Sequence, residues 1–432
     1  MGKDGSHRAP RTLVLAVVLA GAAAVLGTVA FWPRGDAPEP RLRGSSHLDA
    51  TVTRVDDRTC RDPDVGGRVP CQVVEAELTS GPDRGDHVRV RATPPGAPDL
   101  AVGDEVVLLD VATGPPRSRY SFVDLQRSTP MLWLLVAFVA VVVAYGRWQG
   151  VRALLGLGAV GLVLLAFLVP SLLRDQPVVP VVLAATVVAA FVALYLAHGV
   201  NLGTTVALAG TVVALAVTTA LAFGVAAAAD LTGAADDRAR SLRVTAEALD
   251  LRGLLVAGIV VGALGVLDDV TVSQVSIVSA LRRADPMLSR RVLYRQASRM
   301  GRDHVASTVN TLVLAYAGAS LPLLVLFAQG DQPVDRLLTN EVVAVEVVRM
   351  LVGSIGLVAS VPATTALAAA VLGPGEGVPR HDHGWGDGID EPRGAPRADP
   401  RDGRPAHAAP TRRRRRRRPA DEERVAAGGP AA

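Results

Sequence analysis

Long apolar runs fill most of the chain between residues 131 and 372, and they constrain the fold more than any other feature. The hydrocarbon layer of a bilayer is about 30 Å thick, and an α-helix needs roughly 20 apolar residues to cross it. Seven runs approach or exceed that length, and an eighth, Thr12–Phe31, lies near the amino terminus. The sequence therefore predicts an all-α polytopic membrane bundle of about eight transmembrane helices. The seven later runs are Met131–Tyr145, Val151–Leu173, Val178–Ala197, Leu202–Ala229, Leu254–Leu281, Val305–Ala328 and Val342–Leu372.

Small residues are abundant in these runs, whereas aromatic residues make up only 4% of the chain. Small side chains let helix backbones approach closely in lipid, where van der Waals packing drives association. Two runs carry glycines at helical spacing, and we predict that these glycines are helix-packing positions. They are Gly258, Gly262 and Gly265 in the sixth run, and Gly353 and Gly356 in the eighth.

The first apolar run permits two interpretations. Residues 1–11 are short, polar and positively charged, and Thr12–Phe31 carries no charge. A signal peptide trimmed near Ala30 is one interpretation, and an uncleaved first helix is the other. The run is longer than a usual signal-peptide core, and Trp32 stands at its end like an interfacial anchor. We favour the uncleaved helix, so residues 1–32 are predicted to form a cytoplasmic amino terminus and the first span.

Residues 33–130 form a long segment that contains no apolar run of membrane-spanning length. Short runs of β-prone residues, separated by turn formers such as residues 80–82, predict five strands and a small all-β domain. Five short strands suggest a small barrel, by analogy with the OB-fold. The usual aromatic platform for stacking bases is missing, so we expect a spacer or a partner-docking module and no specific nucleic acid. The predicted strands are Leu48–Val55, Val69–Leu78, His87–Ala92, Glu105–Ala112 and Tyr120–Leu125.

Cys60 and Cys71 are the two cysteines of the chain, and both lie in this segment. An exported segment meets an oxidising compartment, where a disulfide can form. Two free thiols are the alternative, but we favour the disulfide because the cysteines lie so close together. Two cysteines are too few for a cysteine metal cluster, and we expect no metal and no cofactor.

Positive charge concentrates on one predicted side of the membrane. Seven arginines lie between residues 282 and 304, Arg147 and Arg152 follow the second run, and both ends of the chain are basic. Cytoplasmic loops carry an excess of Lys and Arg, and an eight-span chain places all four regions on the same side. We therefore predict a plasma-membrane protein with both termini cytoplasmic, an exported segment at residues 33–130 and a membrane domain at residues 131–372.

Residues 373–432 are rich in Pro, Gly, Arg and Asp without apolar periodicity, which predicts a disordered basic cytoplasmic tail. The run Arg412–Arg418 could bind anionic lipid head groups, or it could be a solvated charge block that only sets topology. His381, Asp382 and His383 are weak candidates for metal ligands because they stand alone in this tail.

Asp268 and Asp269 lie inside the sixth run, where a carboxylate costs roughly 2.5–3.5 kcal/mol on insertion scales. Asp269, Ser273 and Ser276 recur at helical spacing and so share one face, whereas Asp268 lies about 100° away. A functional interpretation makes Asp269 a cation or proton site. The alternative is a packing acid that is protonated or hydrogen-bonded to a neighbouring helix.

The seventh run offers polar partners for these acids, and the eighth carries an ion pair of its own. Asn310 and Thr311 lie in the half of the seventh run that the later part of the sixth can reach. Glu346 and Arg349 are three residues apart in the eighth run, so they can pair on a helix surface. The predicted intramembrane polar site therefore comprises Asp268, Asp269, Ser273, Ser276, Asn310 and Thr311.

Three blocks of this sequence form a recognisable set of motifs. The first is Leu249–Leu255, followed by residues 262–265 and Asp269. The second holds residues 300–303 and 308–312 with Tyr316, and the third holds Arg349, residues 351–356 and Pro362. Together these blocks resemble the YibE/F-like membrane proteins. The resemblance covers roughly residues 130–372 and implies a multi-pass plasma-membrane protein. The chain differs at Asp268, where that family often has an apolar residue. A role assigned to Asp269 would therefore be shared with Asp268 or altered by it.

Two functional hypotheses follow. The first is a permease-like protein whose sixth to eighth spans enclose a polar path. The second is a non-transporting assembly or sensory component whose exported domain binds a protein partner. An enzyme is the weakest hypothesis, because no nucleophile–base pair or nucleotide loop is visible, and we expect none. Gly156, Gly158 and Gly161 spell a dinucleotide fingerprint, but they lie inside an apolar run without its required polar helix start.

Overall fold

The computed structural model describes residues 8–35, 45–61, 68–92, 98–111, 119–174, 176–235, 249–329 and 339–373, together with the isolated positions 239, 241, 242 and 336. The chain divides into two compact units, residues 1–379 and 380–432, and every element described below belongs to the first. The predicted tail, including Arg412–Arg418 and His381–His383, lies outside the described residues apart from residue 373.

Five antiparallel strands form one small sheet in the amino-terminal part of the chain. The strand order is β3-β2-β1-β4-β5. The first strand is longer than predicted because its two ends pair with different neighbours: residues 45–51 with β4, and residues 50–61 with β2. The strands are β1 Ser45–Arg61, β2 Arg68–Leu78, β3 His87–Ala92, β4 Glu105–Val111 and β5 Tyr120–Leu125.

Alternating side chains of these strands build a separate apolar core, which includes Val74, Val106 and Leu108. Cys60 on β1 and Cys71 on β2 form a disulfide. The two edge strands, β3 and β5, lie close to one another although they are not hydrogen-bonded neighbours. The sheet therefore curls back toward its own first edge.

Arg119 joins the two ends of this curled sheet. Its guanidinium donates to both carboxylate oxygens of the buried Asp110, at 2.8 and 2.9 Å, and to Asp83 at 2.9 Å. Tyr120 donates to the same Asp83 oxygen at 3.0 Å. The hydrogen bond from Arg119 lowers the pKa of the Asp110 carboxyl group, so the charged form is favoured in the folded sheet.

Helices make up most of the remaining described chain. Asn201, Asp250, Ser289 and Asn340 each accept a backbone N–H at the start of a long helix, which fixes where those helices begin. The helices are α1 Arg8–Ala30, α2 Ser128–Val163 with a π-helical turn Leu164–Leu168, α3 Val169–Leu172, α4 Val178–His198, α5 Leu202–Ala228, α6 Leu251–Ala284, α7 Arg290–Ala319, α8 Leu321–Ala328 and α9 Glu341–Val371.

Six helices of the described chain are long and apolar enough to cross a membrane, or seven if the bent pair α7–α8 counts as one span. The bend between α7 and α8 is 60°. The sequence predicted about eight spans. The difference arises because the candidate span Ser128–Leu172 runs for 45 residues where two spans were predicted.

This 45-residue candidate is broken at Arg147, which has a non-helical backbone with φ 49° and ψ −132°. A Cβ atom placed on Gly150 would lie 3.0 Å from the carbonyl carbon of Val142. Residues eight positions apart in a continuous helix are separated by about 12 Å along the axis. The chain therefore turns sharply at Arg147, between the two runs that the sequence predicted as separate spans.

The arginine-rich segment of residues 282–304, which lies between the predicted sixth and seventh spans, is mostly helical. Arg282 and Arg283 close α6, and α7 already begins at Arg290, so only residues 285–289 connect the two helices. Leu293, Ala297 and Gly301 recur every four residues on α7 and are buried. This apolar stripe packs against the bundle and holds the basic segment in a helix.

The centre of the bundle is formed by α5, α6 and α9, which pack against one another, while α4 packs against α1, α2 and α6. Gly210 on α5 and Gly356 on α9 allow these two helices to approach each other closely. A Cβ atom on Gly210 would overlap the side chain of Thr364 on α9, and one on Gly356 would overlap Thr218 on α5. The α5–α9 contact thus depends on two small residues facing two threonines.

The first helix is part of this bundle. Ser171 donates to the Phe31 carbonyl at 3.0 Å, and the rings of Trp32 and Phe167 stack with centroids 6.0 Å apart. Val17 on α1 is buried in the main apolar core of the helices. These contacts hold the carboxyl-terminal end of α1 against the π-helical turn and α3.

Candidate intramembrane site

Asp268 is half-buried on α6, and its carboxyl group lies near Thr211 of α5. Its Oδ1 atom is buried and has no hydrogen-bond partner among the described residues. Thr271 donates to the Asp268 carbonyl oxygen at 3.1 Å, and its hydroxyl lies 2.9 Å from that of Thr211. One acid and two hydroxyl groups therefore meet between α5 and α6.

A third helix contributes Thr364 to the same region. Its Oγ1 atom is fully buried and, within the described part of the chain, has no hydrogen-bond partner. Thr364 contacts Gly210, the residue before Thr211, so α9 brings this hydroxyl to the turn of α5 that carries Thr211. We call Asp268, Thr211 and Thr271 the Asp268 cluster, and Thr364 contacts α5 one residue away from it.

Buried oxygens without a partner, such as Asp268 Oδ1 and Thr364 Oγ1, are costly. A buried polar group without a hydrogen bond destabilises a fold by about 1–3 kcal/mol, and more if it is charged. A proton, a small cation, a water molecule or a polar solute would satisfy them. The donor set is all oxygen and carries one carboxyl group, which suits a proton or a hard monovalent cation. The described residues contain no cluster of three or more His, Cys, Asp or Glu side chains that could hold a metal ion.

Asp269 lies on a different face of α6. It is exposed, and so are Gly258, Gly262 and Gly265, which precede it at spacings of four, three and four residues. Successive helix residues differ in direction by about 100°, so adjacent acids cannot share a face. We call this stripe the glycine face. Its glycines were predicted to be helix-packing positions; all three are exposed, and Gly262 lies close to Tyr316 of α7.

Polar groups of two neighbouring helices border the glycine face. A Cβ atom on Gly262 would lie 2.8 Å from the Tyr316 hydroxyl of α7, and one on Gly258 would lie 4.0 Å from an Arg349 nitrogen of α9. Arg349 pairs with Glu346 at 3.0 Å, which is the pairing that their spacing predicted. The Arg349 Nε atom is buried and makes no hydrogen bond within the described chain.

The structure does not bring the six predicted site residues together. Ser273 and Ser276 are half-buried on α6, and Asn310 and Thr311 are exposed on α7. Thr311 donates to the Ser307 carbonyl of its own helix at 3.1 Å. In the described part of the chain, no hydrogen bond joins Asn310 or Thr311 to α6. The predicted site is therefore divided between the Asp268 cluster, the glycine face and the outer side of α7.

A different residue, Gln274, makes a hydrogen-bonded contact between α6 and α7. Gln274 is fully buried and donates to the Ala297 carbonyl at 2.9 Å, while its Oε1 atom makes no bond among the described residues. A Cβ atom on Gly301 would overlap the Gln274 side chain, so only glycine permits this approach.

The glycines of α9 do pack against neighbouring helices. Gly353 and Gly356 are both buried, and a Cβ atom on Gly353 would lie 3.7 Å from Leu312 of α7. Sequence reasoning missed Thr211 and Thr364. The available signal was a hydroxyl residue inside a strongly apolar run, but such residues are common in membrane helices.

Long apolar helices packed into one bundle, with a carboxyl group turned to its interior, define a multi-pass membrane protein. The chain belongs to the YibE/F-like protein family, whose family model matches residues 134–374. The resemblance inferred from the sequence is thereby confirmed, and the match extends from α2 through α9 and leaves the sheet outside it. Searches of curated proteins and of solved structures found no match to this chain.

Proposed function

We propose that this protein is a permease-like membrane protein in which the Asp268 cluster binds a proton or a small monovalent cation during transport. The observation that supports it is the buried, unpartnered Oδ1 atom of Asp268 inside the bundle. A membrane helix tolerates such an acid only with a partner, a proton or an aqueous path, and acids of this kind often mark ion pathways. The position of Asp268 favours it over Asp269 as the coupling acid.

A movable element lies beside the cluster. Pro362 stands inside α9, two residues before Thr364. A proline within a helix has no N–H to donate and leaves the carbonyl of residue 358 without its usual partner. Such breaks are tolerated in membrane helices and permit bending. We propose that α9 bends here and changes the access of the Asp268 cluster to either side.

The proposed topology has eight spans, with both termini in the cytoplasm of a plasma-membrane protein. The turn at Arg147 would divide Ser128–Leu172 into two spans, and the bent pair α7–α8 would form one more. The sheet would then be exported, and the arginines at the junction of α6 and α7 would face the cytoplasm, as the bias of Lys and Arg favours.

The test compares two neighbouring acids in the purified full chain, reconstituted into vesicles. Flux is measured with a pH-sensitive dye inside the vesicles and with a tracer monovalent cation. We expect Asp268→Asn to reduce the flux at least tenfold, because it removes the ionisable group from the cluster. The matched control Asp269→Asn, on the exposed face of the same helix, should retain the wild-type flux.

The converse result, in which Asp269→Asn abolishes flux and Asp268→Asn does not, would contradict the assignment. Thermal unfolding in detergent separates loss of coupling from loss of folding. Thr211→Val offers a second variant, because it removes a hydroxyl group from the cluster while nearly conserving volume. We expect it to weaken the apparent affinity for the transported cation.

A non-transporting assembly component is the second candidate. The strand order β3-β2-β1-β4-β5, with β3 and β5 close together, is that of an OB-like barrel left open between those two strands. Open strand edges are places where another chain can add a strand. Wild-type vesicles with no flux of protons or monovalent cations would contradict the permease proposal and favour this candidate.

A further inference from the structure

A groove of about 520 Å³ lies between the first turns of α7 and the last turns of α9. One wall is basic and the other is apolar, and we call the space the basic groove. Its lining residues are Arg290, Arg291, Tyr294 and Arg295 of α7, and Ala366, Ala369 and Ala370 of α9.

The three arginines of the basic groove are available to a ligand. All three are exposed, and none forms an ion pair with a carboxylate of the described chain. They lie in the first two turns of α7, where the helix dipole adds further positive potential. Guanidinium groups bind phosphate oxygens through paired, charge-assisted hydrogen bonds. The basic wall therefore suits a phosphate group.

The opposite wall suits a hydrocarbon chain. It consists of alanines on α9, a helix of membrane-spanning length that ends at Val371. Ala366 and Ala370 are exposed and four residues apart, so they form a shallow apolar strip along the helix. Tyr294, between the two walls, has the amphipathic ring that is typical of the membrane–water interface.

We propose that the basic groove binds one anionic phospholipid, with its phosphate on the arginines of α7 and an acyl chain along the alanine strip of α9. Basic pockets between helices at a membrane boundary bind lipid head groups in this way. The proposal goes beyond transport, because no residue that lines the groove belongs to the Asp268 cluster. It names a lipid that would brace the junction of α7 with the bundle, whether or not an ion is carried.

The experiment uses the full chain in neutral detergent, and native mass spectrometry counts the lipids retained. Phosphatidylglycerol is titrated against phosphatidylcholine and against inorganic phosphate, with thermal stability as a second readout. We expect one phosphatidylglycerol to bind and to raise the unfolding temperature. The triple change of Arg290, Arg291 and Arg295 to glutamine should weaken that binding at least tenfold.

The matched control changes three other exposed arginines, Arg283, Arg299 and Arg302, to glutamine with the same loss of charge. We expect it to bind phosphatidylglycerol as the wild type does. Equal weakening in both triple variants would overturn the proposal, because it would show only a diffuse charge effect. Inorganic phosphate that stabilises the chain as strongly as the lipid would also overturn it.

A substitution in the apolar wall tests the proposed position of the acyl chain separately. Ala366→Leu adds bulk at an exposed position, so it should narrow the groove without disturbing the core. We expect weaker retention of phosphatidylglycerol, whereas Ala306→Leu at another exposed position, on α7, should have no effect. Unchanged retention in Ala366→Leu would contradict the placement of the acyl chain on α9.

Discussion

Gly210 offers a quantitative test of the packing at the centre of the bundle. A Cβ atom at this position would overlap the Thr364 hydroxyl and lie 3.0 Å from Thr364 Cβ and 3.1 Å from Cγ2. Overpacking a well-packed core costs about 1–3 kcal/mol. Alanine is favoured over glycine inside a helix by roughly 0.5–1 kcal/mol, which offsets part of that cost. We therefore expect Gly210→Ala to lower the free energy of unfolding by about 0.5–2 kcal/mol.

The measurement is reversible unfolding in mixed micelles containing increasing amounts of denaturing detergent. Gly224→Ala on the same helix is the matched control, because a Cβ atom there meets nothing within 4 Å. It should stabilise the chain slightly, by about 0.5–1 kcal/mol. The two variants should thus differ by roughly 1–3 kcal/mol, which is the overpacking cost alone.

A compensating change completes the test. Thr364→Ala removes the atoms that the new methyl group would overlap, and the Thr364 hydroxyl has no hydrogen-bond partner among the described residues. Gly210→Ala combined with Thr364→Ala should therefore be more stable than Gly210→Ala alone. Equal stability of Gly210→Ala and Gly224→Ala would refute the close approach of α5 and α9.

Two further predictions concern the sheet. Replacing Cys60 and Cys71 by alanine opens a loop closed over 11 residues, and we expect the sheet to lose about 2–3 kcal/mol of stability, as measured by chemical denaturation of oxidised and variant protein. Because Arg119 lowers the pKa of Asp110 below its ordinary value of 3.8, the ion pair stabilises the sheet fully above that pH and progressively less as the pH falls through the lowered pKa. Asp110→Asn should therefore be less stable at neutral pH and lose less stability on acidification, as seen in unfolding followed at several pH values.

The sequence predicted the strands of the sheet more fully than their arrangement. The third and fifth strands have their predicted bounds, because alternation and turn formers act over a few neighbouring residues. The additional length of β1 arises from pairing with both β2 and β4. Pairing between distant segments leaves no local signal, so the strand order and the contact between β3 and β5 became visible only in the fold.

The arginines of residues 282–304 illustrate the same limit in the membrane domain. Their positive charge resembles that of a loop, and charge dominates the local pattern. The buried residues Leu293, Ala297 and Gly301 make this segment a helix because α6 and α9 provide a surface on which they pack. The surface of α6 and α9, against which this segment packs, decided that it is a helix.

Asp268 and Asp269 in α6 show most clearly what the sequence determines and what only the tertiary structure decides. The sequence by itself determined that Asp268 and Asp269 lie within an apolar helix and point about 100° apart, since helix geometry fixes the angle between neighbours. It could not determine which acid faces inward, because that depends on how α6 is rotated against α5 and α9. Tertiary packing decided it: Gly210 lets α9 approach α5, Thr211 meets Thr271, and the carboxyl group of Asp268 is turned inside.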